Sequence, residues 1–159
     1  MNIFSLDKTA CVNYARRWAF DRNPAFYNFD KIGGDCTSFI SQCIYNGCFT
    51  MNYTPTFGWY YNSVNDRAPA WSGVNEFYRF ITSNKSYGPF GELSSYYQMG
   101  IGDVIQLFNG TRYYHTLLVT DLRNGELFTS SHTADSFNRP FSSYNFVSAR
   151  FIKLLGYRK

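Results

Sequence analysis

The chain has 159 residues, 45% of them apolar, and a formal net charge of +4. This excludes a disordered chain and suffices for a single domain, residues 1–159, with its own core. The charge is scattered, without the Lys/Arg block of a nucleic-acid footprint, and no stretch approaches the roughly 20 apolar residues that span a bilayer.

The opening Met1–Lys8 lacks the basic-then-apolar run of a signal peptide. The expectation is a soluble, monomeric chain. Export to the cell wall or beyond would need a leader or domain outside it, or an unconventional route.

In chain order, apolar residues at helical spacing (Cys11, Tyr14, Ala15, Trp18, Ala19) predict a helix from about Leu6 to Phe20. Ser5 is its expected N-cap and Asn23-Pro24 its stop. A second helix is expected from Cys36 to about Tyr45, closed by Asn46-Gly47 as a left-handed cap. Thr50 to Pro69 reads as irregular, and Gly73 to Thr82 as a third helix with Val74, Phe77, Tyr78 and Ile81 on one face. After Gly102 the period changes to that of strands: Asp103–Phe108, Thr111–Thr120, Glu126–Ser131 and Val147–Leu155. Asn109-Gly110 and Asn124-Gly125 are the hairpin turns, because both residues of such a turn adopt positive φ. Helices followed by an antiparallel meander make an α+β domain.

The four cysteines, Cys11, Cys36, Cys43 and Cys48, crowd into the first third of the chain. They form neither a disulfide framework nor a C-x-x-C zinc pair. Cys11 and Cys43 fall on apolar helix faces and read as small buried hydrophobes. Cys36 differs: it follows Gly33-Gly34-Asp35 and opens a helix, where the first-turn N–H groups and the helix dipole favour a thiolate. Asp35 can cap that helix through Thr37 or Ser38 N–H, leaving the Cys36 N–H as an oxyanion donor.

The two histidines are His115 and His132. If Asn124-Gly125 is a two-residue turn, Arg123 pairs with Glu126 and Leu117 faces His132. His132 then shares a face with His115, one diagonal step away. A bulge or a longer turn would reverse that parity. In this reading Cys36 is the nucleophile, His115 the base, and His132 the group that orients its ring. The face offers too few ligands for a metal, and no cofactor is expected.

The ordered set of motifs resembles the bacterial putative amidase domain family, a branch of the NlpC/P60 and CHAP papain-like cysteine hydrolases. The matching segments are Tyr14-Ala15 with Trp18, Asn23-Pro24, Gly34 through Cys43, Trp59-Tyr60-Tyr61, Trp71 with Val74 and Phe77, Gly102 through Ile105, His115 through Thr120, and Ser131 through Asp135. Ser38 stands where the usual form has Asn, and Cys48 where it has Gly; neither touches the Cys and His. The resemblance implies a papain-like fold with N-terminal helices packed on an antiparallel β-meander. It implies the same roles for Cys36, His115 and His132. It also implies that Asp35, with Tyr27, grips a peptide amine, while a pure capping role stays open for Asp35. Trp59 could wall a substrate groove or pack in the core.

The expected activity is cleavage of an amide bond through a thioester acyl-enzyme, in a peptidoglycan stem peptide or its link to sugar. Two other readings stay open: a non-catalytic glycopeptide-binding module, and a deamidase or transamidase effector using the same Cys-His pair.

Overall fold

The computed structural model describes residues 1–159, an α+β arrangement of four helices and a seven-stranded sheet whose pairings are antiparallel. The elements are β1 (Ile3–Phe4), α1 (Lys8–Trp18), α2 (Cys36–Cys48), β2 (Tyr61–Ser63), β3 (Asp66–Arg67), α3 (Pro69–Ser72), α4 (Val74–Ser83), β4 (Gly88–Ser94), β5 (Val104–Phe108), β6 (Tyr113–Arg123), β7 (Glu126–Ser131), β8 (Ser136–Pro140) and β9 (Ser148–Arg158). The main sheet runs β1-β9-β5-β6-β7-β8, with β4 also paired to β9. No helix is long and apolar enough to cross a membrane.

Alternate residues of the central strands feed two cores. Val104, Leu118 and Ile152 face the helices and meet Phe39, Ile40, Cys43 and Ile44 of α2. Ile105, Leu107, Leu117, Val119 and Leu127 fill the opposite face under Met99 and Phe141. Strands buried on both faces read as continuous apolar runs, which is why β5 and β6 show little alternation in sequence.

Several boundaries differ from expectation. Asp7, not Ser5, caps α1, its Oδ1 accepting the Ala10 N–H at 2.9 Å. α2 runs through Asn46-Gly47 and ends at Phe49 in the left-handed region (φ 47°). Gly47 is instead a packing residue: a Cβ there would lie 2.5 Å from Cys11 Sγ and 2.8 Å from the Asp7 carbonyl oxygen. The absence of that carbon lets α1 lie close against α2. The stretch expected to be irregular contains the β2–β3 hairpin, and a short α3 starting on Pro69 precedes α4.

The Asn124-Gly125 turn does pair Arg123 with Glu126. Further along, the ladder slips between Val119 and Asp121, so that Leu118 pairs with Ser130. The unpaired residue, Thr120, sends its hydroxyl to Asn138 Oδ1 at 2.8 Å. A bulge of this kind moves every later side chain to the other face.

Candidate active site

Gly33 (φ +81°) and Gly34 (φ +96°) lead into α2 in a conformation that side chains disfavour, and a Cβ on Gly34 would meet Thr133 Oγ1 at 3.4 Å. The turn delivers Cys36 as the first residue of α2. Phe39 N–H to Asp35 carbonyl, at 3.0 Å, is the first bond of the helical pattern. The amides of Cys36, Thr37 and Ser38 are therefore the orphan donors of a helix N-terminus.

Asp35 does not cap this helix through its side chain. Its carboxylate turns back: Oδ1 accepts the Phe29 N–H at 2.9 Å and Oδ2 lies 2.6 Å from His132 Nδ1. Asp35 is 1% exposed and does not line the cleft that holds Cys36. It is thus not placed to grip a substrate amine.

His115, on β6, leaves the strand on the Leu117 side and reaches the cleft beyond the last pairing with β7 at Leu118–Ser130. Cys36 and His115 line one cleft of about 330 Å³, with Gly33, Gly34, Tyr114, Arg139 and others. Their neighbours lock them together. Arg150 Nε donates to Gln106 Oε1 (2.8 Å), and Gln106 Nε2 donates to Thr116 Oγ1 (3.2 Å). The Thr116 and Thr37 hydroxyls are 2.8 Å apart, and Thr37 Oγ1 lies 3.8 Å from Cys36 Sγ. Since Gln106 donates to Thr116, the Thr116 hydroxyl is free to donate to Thr37 and Thr37 to the sulfur. A directed chain of hydrogen bonds then ends on the nucleophile.

Burial pushes the Cys36 thiol up, opposed by the amide of Thr116 and by the hydroxyl and amide of Thr37. Burial, with the charge of Arg139, lowers His115 to about 4. At neutral pH the resting pair is thiol and neutral imidazole. The thiolate expected from the helix terminus is therefore corrected: burial outweighs the hydrogen bonds from Thr116 and Thr37 that favour the ionised sulfur.

His132 does not orient His115. After the Thr120 bulge it follows Ser130 to the helix side, where its ring stacks on Phe39 (centroids 3.8 Å, interplanar 13°). Nε2 lies 2.8 Å from the Trp18 carbonyl, which can only accept, so Nε2 carries a hydrogen. Nδ1 faces Asp35. Both ring nitrogens are thereby engaged away from the cleft. No side-chain hydrogen bond fixes the His115 ring; the rings of Tyr114 and Tyr144 flank it at 5.9 and 6.2 Å.

The other expected binding residues also lie elsewhere. Tyr27 sits edge-on to Phe29 and lines a separate surface recess with Asn28, Asp30 and Lys31. Trp59 is fully buried against Trp71 and Phe80, its Nε1 donating to Ser41 Oγ at 3.0 Å. A larger open groove, about 720 Å³, runs beside α1 past Asp7, Tyr14 and Phe49. It holds neither Cys36 nor His115, so the smaller cleft is the candidate site.

Sequence reasoning missed Thr116, Gln106, Arg139 and Tyr144. Two of these carry a signal. Gln106 is a lone polar residue inside Val-Ile-Gln-Leu-Phe, and Thr116 follows His115; a buried polar side chain in such a run needs a partner.

Residues 5–155 match the model of a family described as a putative amidase domain. The uncharacterized protein YhbB of Bacillus subtilis (strain 168) is 29% identical over 144 residues, covering 87% of this chain and 45% of YhbB. The chain thus spans less than half the length of that relative. No solved structure matches it.

Proposed function

Since this chain belongs to the putative amidase domain family, we propose that it hydrolyses an amide bond with Cys36 as nucleophile and His115 as base, on a papain-like arrangement of the NlpC/P60 and CHAP kind. The observation that carries this reading is the shared cleft of Cys36 and His115, tied together one residue away by the Thr37–Thr116 bond.

His115, neutral at rest, takes the Cys36 proton as the sulfur attacks the carbonyl carbon. The oxyanion forms beside the Cys36 amide at the start of α2, which has no acceptor within the helix. The tetrahedral intermediate collapses to a thioester as the imidazolium gives its proton to the leaving amine. Water, deprotonated by His115, then releases the acid and restores the thiol. The thiol need not ionise before substrate arrives, so its burial is compatible with turnover.

The proposed substrate class is a peptidoglycan stem peptide or its amide link to sugar. Supporting it are the motif resemblance and a net charge of +4, which suits an anionic polymer. The test is mass spectrometry of purified cell-wall fragments before and after incubation. One amide bond should gain the elements of water with the wild-type protein and stay intact with Cys36→Ala. Cleavage by both proteins alike would refute the reading.

A further inference from the structure

Arg139 is the only charged side chain lining the Cys36 cleft, and no carboxylate pairs with it. Its guanidinium carbon lies over the Tyr144 ring, 3.8 Å from the centroid. Tyr144 is itself held by the hydroxyls of Thr129, Ser131 and Ser136 at 3.2 to 3.4 Å. On one edge of the guanidinium, Nε donates to Ser143 Oγ (2.8 Å) and Nη2 to the Ser143 carbonyl (3.1 Å). Ser143 thus occupies the side-on edge. Nη1 has no acceptor within the chain, which leaves the end-on edge, one N–H from each terminal nitrogen, without a partner. That edge accepts a carboxylate through two parallel hydrogen bonds. An arginine fixed by stacking and by one edge, with the other edge free, is organised in advance for a planar anion.

We infer that Arg139 is a specificity-determining residue that binds a carboxylate of the substrate, so that the amide cleaved lies close to a free carboxylate group. This rests on the reading of Cys36 as the nucleophile of the cleft. The cleft's own composition supports it: no acidic side chain among its lining residues would repel such a group. The charge of Arg139 also bears on His115, which places it near the reacting groups.

The test uses two alkylating agents of nearly equal size, iodoacetate and iodoacetamide, with rates at Cys36 read by peptide mass spectrometry. In the wild-type protein Cys36 should favour iodoacetate relative to the ratio that the same reagents show with glutathione. In Arg139→Gln the iodoacetate-to-iodoacetamide ratio should fall roughly tenfold, the scale of a lost hydrogen bond to a charged group. Arg139→Lys should keep part of the preference, since it keeps the charge and loses the fork. Absence of any carboxylate preference in the wild-type protein overturns the inference without need of a variant. A preference that persists in Arg139→Gln overturns it equally. Because the readout needs no amide hydrolysis, loss of the carboxylate preference is distinguished from failure of the amidase reading, which the cell-wall assay reports.

Discussion

The hydroxyls of Thr37 and Thr116 lie 2.8 Å apart, and each belongs to the residue that follows a proposed catalytic side chain, Cys36 or His115. The bond joins the first turn of α2 to the open end of β6, and through Gln106 it connects Arg150 to the sulfur. Arg150 is itself held between Tyr78 and Tyr113, each ring centroid 3.7 Å from its guanidinium carbon.

Thr37→Val keeps the shape and removes the last donor before Cys36. We expect it to lower kcat/KM by about tenfold and stability by about 1 kcal/mol, the scale of one buried hydrogen bond. Thr116→Val should act through the same chain, so the double variant should be little worse than either single one. Activity assays with denaturant titrations of the three variants check this. Additive losses would show that the two hydroxyls act separately.

His132 and Asp35 form a pair in which each side chain is 1% exposed. Removing His132 leaves Asp35 Oδ2 with only the Arg22 guanidinium at 3.8 Å, while Oδ1 keeps the Phe29 N–H, so His132→Ala should cost about 2 kcal/mol. The rate per folded molecule should fall far less than in His115→Ala. Thermal melts combined with activity normalised to the folded fraction separate the two. A stable His132→Ala protein with no activity would return His132 to a catalytic role.

His115 predicts a pH dependence of stability. Its ordinary value of 6.5 applies to the unfolded chain, and burial lowers it to about 4 in the fold. Between those values the unfolded state binds more protons, so stability rises with pH across the window. The contribution is complete above 6.5 and lost toward 4, and amounts to about 3 kcal/mol. His115→Gln should flatten the profile from pH 4 to 6.5. Below that window the fall should persist, because Asp30, held below the ordinary carboxylate range by Arg22 against its own burial, still takes up a proton there. Urea titrations at stepped pH measure both.

The same shift governs activity. The base is already neutral at mildly acidic pH, so the acid limb of kcat/KM should lie near pH 4 rather than near 6.5. Cys36→Ala and His115→Ala should each abolish turnover, and the double variant should lose no more, since the two act as one unit.

Much of this was legible in the sequence, and what was not has a common cause. The Asn124-Gly125 turn, the strand of His115 and the helix opened by Cys36 follow from local rules of turn chemistry and periodicity. The partner of His132 did not, because the deciding feature is a single unpaired residue, Thr120, in an unremarkable Val-Thr-Asp-Leu strand. What accompanies that bulge is a tertiary hydrogen bond to Asn138, invisible to local pattern. β4 was not anticipated, because Gly88, Pro89 and Gly91 are unfavourable inside strands and tolerated where a strand runs along an edge. The charge state of Cys36 was misjudged because the helix terminus can be read from sequence and the depth of burial cannot.

The central claim is that Cys36 carries the acyl group during turnover. The most direct measurement is an acid quench of the wild-type protein during cleavage of cell-wall fragments, followed by peptide mapping with and without hydroxylamine. The account predicts an acyl mass on the Cys36 peptide that hydroxylamine removes, and none on the Cys11, Cys43 or Cys48 peptides. Product formed at the wild-type rate by Cys36→Ala, with no such adduct in the wild-type protein, would contradict it.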